Sequence, residues 1–191
     1  MLNLAAGLDT RPYRLALPAT LRWIEVDFAD ILAYKAEQLA GEKPVCVLER
    51  VAATAQSALV ISEGLLIYLS PAAVSGLAAA LHARQAYGFW LFDLASPALL
   101  QLMERTWGRA VAAGNAPFQF APETGTRFFE PHGWREREFH SMWEESLRLG
   151  RTMRFARLWR LVGWLAPRAR REMWRRMSGI VLMERASEPA V

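Results

Sequence analysis

One cysteine in 191 residues, Cys46, leaves no partner for a disulfide within the chain and excludes a multi-cysteine metal site. Three scattered histidines (His82, His132, His140) show no H-E-x-x-H-type spacing, which argues against a zinc enzyme. No apolar run approaches the ~20 residues of a membrane-spanning helix. A charged leader with a small-residue cleavage site is lacking at the N-terminus, so a cytoplasmic protein is the expectation. The G-x-G-x-x-G turn of dinucleotide-binding folds is missing too, and neither internal repeats nor low-complexity tracts occur. What is abundant is apolar side chain, 53% of the residues, enough for one domain with a sizeable core.

Charge is unevenly spread. Through Phe120 there are 9 basic and 10 acidic residues; from Ala121 onward there are 14 and 9, and all 14 are arginine. Such asymmetry suits either an anionic partner or a solvated basic surface.

The first half alternates strand and helix signals. Leu2–Ala6 is a short apolar run stopped by Gly7 and reads as a buried strand feeding a turn. Trp23–Val26 reads as the second strand, Val45–Val51 as the third, Ala58–Ser62 as the fourth and Tyr87–Ser96 as the fifth. Ala29–Ala40 is expected to be helical, with Ile31, Leu32, Tyr34, Ala36 and Leu39 near helical spacing and Gly41 as its stop. A second helix is expected from Pro71 to about Gln85, capped by Ser70. This alternation predicts a doubly wound α/β sheet. Beyond it, Pro97–Ala113 reads as a helix, and "WREREFHS" and "GIVLMERA" as an antiparallel strand pair completing the sheet. The whole chain, 1–191, reads as a single domain, with a cofactor-binding half over 1–96 and a substrate and cap half over 97–191.

In a doubly wound sheet, ligands bind beyond the carboxyl ends of the strands. Gly7, Asp27, Glu63 and Asp93 fall there. Gly7 permits a tight turn and close approach of backbone to a ligand. Asp27 lies 20 residues later at the next strand end, where a carboxylate accepts from ribose hydroxyls. The turn "AAGLDTR" puts an aspartate where phosphates would have to bind, and an acidic group repels phosphate. The pattern suits a nucleoside with positive charge in place of phosphates, and S-adenosyl-L-methionine fits that description. Asp93 is expected to orient the loop after the fifth strand. Asp9 and Arg11 are placed for a local ion pair that shapes the glycine loop.

The phrases "NLAAGLDTRPYRL", "RWIEVDFADILAYKAEQL", "SEGLLIYLSP" and "GWRERE", in that order, resemble the leucine carboxyl methyltransferase-like family of class I S-adenosylmethionine-dependent methyltransferases. The resemblance implies a Rossmann-like sheet, mostly parallel with a C-terminal antiparallel pair, and a helical cap. It implies that Ala6 and Gly7 lie against the methionine half of the cofactor, that Asp27 holds the ribose, and that Glu63 lies near the methionine portion. Tyr68, from the same phrase as Glu63, becomes the candidate for shaping the methyl-transfer site. Against these roles, Glu63 could bond to neighbouring backbone amides, and Tyr68 could be a packed aromatic.

Two departures from the family stand out. Met1 abuts the first strand, where the family carries a helical lid that supplies an arginine to the cofactor carboxylate, so a missing front is expected. In addition, only "AATAQS" separates Val51 from Ala58. Those residues reach about 20 Å at most, whereas three strand spacings (~14 Å) combined with a return along a strand (~17 Å) need roughly 22 Å. Parallel crossovers normally take a dozen or more residues. The third strand is therefore expected to be displaced from its edge or frayed. The family's Asp-Leu pair beside the adenine falls in the missing stretch, and weakened cofactor binding is expected.

Methyl transfer to a carboxylate needs alignment and desolvation but no general base, so O-methylation of a small-molecule carboxylate or hydroxyl is the favoured reading. A phenol or alcohol would want a base, and His132 or His140 are the candidates. The alternatives are a non-catalytic remnant acting as an interaction module, and a membrane- or nucleic-acid-binding stretch in "RLGRTMRFARLWRLVGWLAPRARREMWRRM". In that stretch the arginines at 148, 151, 154, 157 and 160 spiral round a helix instead of forming a stripe. A cap with Arg stems over apolar surface and Trp159, Trp164 and Trp174 partly buried fits better, and no nucleic-acid partner is expected.

Overall fold

The computed structural model describes residues 1–44, 47–48, 58–114, 116–151 and 167–186. Its strands are β1 (Leu2–Leu4), β2 (Arg22–Val26), β3 (Val47–Leu48), β4 (Ala58–Ser62), β5 (Tyr87–Ala95), β6 (Trp134–Ser141) and β7 (Ser178–Arg185). Its helices are α1 (Arg11–Arg14), α2 (Ala29–Gln38), α3 (Pro71–His82), α4 (Pro97–Ala113), α5 (Met142–Arg148) and α6 (Arg168–Arg175), with 3-10 turns at Leu66–Tyr68 and Gly125–His132. The strands form one sheet in the order β3-β2-β1-β4-β5-β7-β6. β1 pairs in parallel with β2 and β4, β2 with β3, and β4 with β5. β7 runs antiparallel between β5 and β6, as the two C-terminal phrases predict.

β1 stops at Leu4, not Ala6, because Ala5 turns into the left-handed region at φ 53°. β3 keeps the outer edge beside β2, pairing Val47 with Arg22 and Leu48 with Trp23. Of the two outcomes expected from the short connection, displacement is corrected, since Val47–Leu48 stays at the β2 edge, and fraying concerns residues outside those described. The rest of Val45–Val51, and the connection to Ala58, lie outside the described residues, as do Cys46, Trp159 and Trp164.

α3 has Pro71 in its first turn, and Ser70 Oγ accepts from the Ala73 N–H at 3.2 Å. It ends at His82, before Gln85, and turns Val74, Ala78 and Leu81 inward at helical spacing. α2 ends at Gln38, two residues before Ala40. Its buried residue is Lys35, whose ammonium meets Glu25 Oε1 of β2 at 2.7 Å, while Ile31 and Tyr34 are exposed. A long lysine stem can be covered when its charge has a partner.

The main core lies where α3 and the second 3-10 turn pack on β4, β5, β6 and β7. Trp90, Phe92, Phe129 and Trp134 interlock there, with ring centroids 4.8 to 5.7 Å apart. Trp90 donates its indole N–H to Ser62 Oγ at 2.9 Å, and Trp134 donates to the Ala78 carbonyl at 3.0 Å, so neither polar end is stranded. A smaller cluster around Trp23 and Ile61 fills the other face.

At the β6 edge, Arg176 makes a two-pronged contact with Glu136 at 2.8 and 2.9 Å, and Arg135 and Arg137 share Glu184. Arg148 meets Glu145, and Arg175 meets Glu144. Much of the described arginine surplus is thus paired with carboxylates, and the edge strand is protected by charge against further pairing. Among the described residues no helix is long and apolar enough to cross a membrane.

Candidate functional site

Strand direction decides which loops meet. β2, β1, β4 and β5 are parallel neighbours, so the turns that follow them open at one edge of the sheet. After β1 the chain passes through Ala5 and Gly7, both left-handed, at φ 53° and 49°. The turn brings the Gly7 N–H to Asp27 Oδ2 at 2.6 Å, and Asp27 Oδ1 accepts from the Phe28 N–H at 2.7 Å. Asp27 therefore fastens the glycine turn to the end of β2. Ala6 is buried, its N–H donating to the Val26 carbonyl and its own carbonyl accepting from the Asp9 N–H. A Cβ placed on Gly7 would meet nothing within 4 Å, so the space over the turn is open.

The turn after β4 carries Glu63 and Gly64. Glu63 Oε2 bonds Arg11 Nη2 at 2.5 Å, a side-chain partner on α1 in place of the backbone amides considered from sequence. Asp93 also departs from expectation. Its Oδ1 accepts from the Gly64 N–H at 2.6 Å, so it braces the β4 turn, not the loop after its own strand, because β4 and β5 end side by side.

Arg11 joins the two turns. Its Nη2 lies 2.7 Å from Asp9 Oδ2, its Nε donates to the same carboxylate at 2.9 Å, and its guanidinium carbon sits 5.7 Å from the centroid of the buried Trp23 ring. Asp9 also accepts from Asn3 Nδ2 at 2.8 Å and from the Arg11 N–H at 2.9 Å. The expected Asp9–Arg11 pair is present, and it extends at both ends, to Asn3 and to Glu63. Burial pushes the Asp9 carboxyl up, but the hydrogen bonds and charge of Arg11, with Lys35 behind them, outweigh burial and hold it below its ordinary value. Arg11 is pushed up, first by its hydrogen bond to Asp9 and further by the Glu63 charge, against the opposing effect of burial.

Tyr68 closes the 3-10 turn five residues after Glu63. Its ring lies 5.7 Å from Phe118 and is 39% exposed, and Gln119 Nε2 donates to its backbone carbonyl at 2.8 Å. Gly7 and Asp27 are joined directly and Glu63 is linked to their turn through Arg11, whereas the contacts of Tyr68 are with Phe118 and Gln119. His140 lies on β6, at the opposite edge of the sheet from β2, against Glu138 at 3.0 Å; His132 stacks near Phe128. Around the open turn Leu8 and Phe28 are 59% and 78% exposed, an apolar margin that sequence reasoning missed. Asn3 was missed too, although a lone amide in the apolar run "LNL" signals a buried polar contact. Among the described residues no group of three or more His, Cys, Asp or Glu could hold a metal ion.

The model of the family described as leucine carboxyl methyltransferase matches residues 1–54. A Streptomyces coelicolor protein provisionally named an S-adenosyl-L-methionine-dependent methyltransferase is 32% identical in an alignment 175 positions long, gaps included, that covers 78% of this chain and 59% of that one. Similarly named proteins of Frankia alni and Mycobacterium tuberculosis are 32% and 33% identical, over 71% and 72% of this chain and 54% and 45% of theirs. The chain thus spans about half the length of these relatives. Among solved structures, magnesium protoporphyrin IX methyltransferase from Synechocystis with bound SAH has a TM-score of 0.55 at 14% identity, covering 97% of this chain and 73% of that one. An S-adenosylmethionine-dependent methyltransferase from Mesorhizobium loti has a TM-score of 0.57 at 15% identity, over 96% and 89%. Those two likenesses establish the fold, that of the class I methyltransferases, and by sequence this chain belongs with the leucine carboxyl methyltransferase-like family.

Proposed function

We propose that this chain binds S-adenosyl-L-methionine across the ends of β2, β1 and β4 and directs its methyl group to a carboxylate or hydroxyl oxygen of a small molecule in the cytoplasm. The observation that carries the reading is the convergence of Gly7, Asp27 and Glu63 at three adjacent strand ends, beside open space over Gly7. The donor set suits this cofactor: two carboxylates for a diol and an ammonium, a bare backbone turn, and an apolar margin in Leu8 and Phe28.

Asp27 already holds the Gly7 and Phe28 N–H groups, but each carboxylate oxygen has a second lone pair for a ribose hydroxyl. Glu63 offers Oε1 to an ammonium while Oε2 stays on Arg11. Gly7 lets the ligand approach the main chain, with Ala6 buried beneath it supporting the turn. When bound, the cofactor would supply an electrophilic sulfonium methyl group for transfer to an oxygen nucleophile, with a neutral thioether as the leaving group. The chain's own work is alignment and exclusion of water, since a carboxylate acceptor is ionised at neutral pH and passes no proton to a base. Tyr68, exposed on its turn, is the side chain we assign to shaping the acceptor side.

Incubation with methyl-tritiated S-adenosylmethionine and panels of small carboxylic acids, phenols and alcohols tests this. Label released as volatile methanol by mild base identifies a methyl ester, and base-stable label identifies an ether. Transfer to neither class from a cooperatively melting protein would contradict the reading.

A further inference from the structure

We propose that the outer ends of α5 and α6 dock on an anionic lipid bilayer, with Arg151, Arg168, Arg170 and Arg171 meeting headgroup phosphates and Leu149 and Met173 entering the headgroup layer. Such docking is independent of the cofactor reading above.

The two helices and their flanks, 142–151 and 167–176, carry seven arginines against three glutamates. All three carboxylates are taken. Glu144 accepts from Arg175 Nε at 3.0 Å, Glu145 from Arg148 Nε at 2.7 Å and Glu172 from Arg176 Nε at 3.1 Å. Arg151, Arg168, Arg170 and Arg171 are exposed and have no carboxylate partner among the described residues. The sequence between the helices, 152–166, adds Arg154, Arg157 and Arg160 and no acidic residue.

This surplus gathers toward one end of the pair. α5 leaves the sheet where β6 ends, and α6 returns to it where β7 begins. Arg175 and Glu144 pin the two helices together near those strand ends. At ~1.5 Å per residue, Leu149 and Arg168 lie about 8 Å and about 10 Å along their helices from that pin. The base is neutralised, Arg176 also reaching Glu136 of β6, and the unpaired arginines stand toward the far end.

That end is held in shape. Gly150, left-handed at φ 65°, lets its own N–H reach the Leu147 carbonyl and the Arg151 N–H reach the Ser146 carbonyl, which closes α5. Leu149 stays 57% exposed on that turn. Met173, three residues after Arg170 and so its neighbour on the helix surface, is 56% exposed. Guanidinium groups form paired hydrogen bonds with phosphate oxygens, and exposed aliphatic side chains gain where headgroups meet acyl chains. A nucleic acid offers the phosphates but gives Leu149 and Met173 nothing to enter, which favours lipid. β6 ends and β7 begins at the sheet edge where the β1, β2 and β4 turns open, so docking brings the bilayer to the edge that carries Gly7, Asp27 and Glu63.

Co-sedimentation of the full chain with vesicles tests this. Phosphatidylcholine vesicles are compared with vesicles holding about one-third phosphatidylglycerol, at about 0.1 M and about 0.5 M salt. At the lower salt the anionic vesicles should bind at least about fivefold more protein, and the higher salt should release most of it. The triple variant Arg168→Gln, Arg170→Gln, Arg171→Gln should lose most of that binding with its melting temperature unchanged. Leu149→Gln combined with Met173→Gln should lose a smaller part. Equal binding of the unaltered chain to both vesicle types, or binding to neither, overturns the proposal whether or not the variants fold. Undiminished binding by either folded variant overturns it as well, by placing the contact elsewhere. Tighter binding to a double-stranded oligonucleotide than to anionic vesicles, at equal phosphate concentration, overturns it in favour of a nucleic acid.

Discussion

Asp9 is the joint between the two strand-end turns, since it takes Asn3 from β1 and Arg11 from α1. Asp9→Asn keeps the shape but removes the charge, leaving Glu63 as the only carboxylate partner of Arg11 among the described residues. The expected loss is about 1–3 kcal/mol in denaturant unfolding at pH 7. The sign of the pH effect follows from the lowered native pKa. Asp9 contributes stability above its unfolded value near 4, and that contribution is lost as pH falls through the lower native value. Glu136 behaves alike, held down first by the hydrogen bond from Arg176. The unaltered chain should therefore lose stability on acidification below about pH 4, and Asp9→Asn should lose less between neutral and acid pH; identical slopes would contradict the assignment. In the core, Ser62→Ala strands the Trp90 indole N–H and should destabilise by about 1–3 kcal/mol, far more than loss of one hydroxyl at the surface.

Among the elements, the second 3-10 turn depends on one glycine. Gly133, at φ 81°, ends it, and a Cβ there would lie 2.3 Å from His82 Nε2 at the end of α3. Gly133→Ala combines a left-handed backbone with a collision and should lower the melting temperature by more than about 5 °C. A normal melt would contradict that close approach. α3 illustrates what local chemistry makes legible: Ser70 and Pro71 mark its start, and apolar spacing its buried face. α2 illustrates the opposite. Ile31 and Tyr34 fall near helical spacing yet stay exposed, and Lys35 turned inward, because an ion pair with Glu25 on another element outweighed residue type. β1 was read two residues long for a related reason: Ala5 is apolar and β-compatible, and the turn that bends it is fixed by Asp27, 22 positions later.

For the whole molecule, alternating strand and helix signals and the antiparallel C-terminal pair were readable, since each strand is a compact apolar run with marked ends. The sheet order then sets the candidate site, placing Asp27 and Glu63, 20 and 56 positions after Gly7, at the ends of the strands on either side of β1. The strand-end positions of Gly7, Asp27 and Glu63 were legible because strand ends are predictable. The reach of Arg11 to Glu63 and of Asp93 to Gly64 was not, because contacts between loops depend on which strands are neighbours. The central claim, that these strand ends hold S-adenosylmethionine, is tested most directly by titrating the chain calorimetrically with S-adenosylhomocysteine beside an Asp27→Ala variant. The account predicts saturable one-to-one binding that the variant loses while still melting cooperatively. No binding by a cooperatively melting chain, or binding unchanged by the substitution, would contradict it.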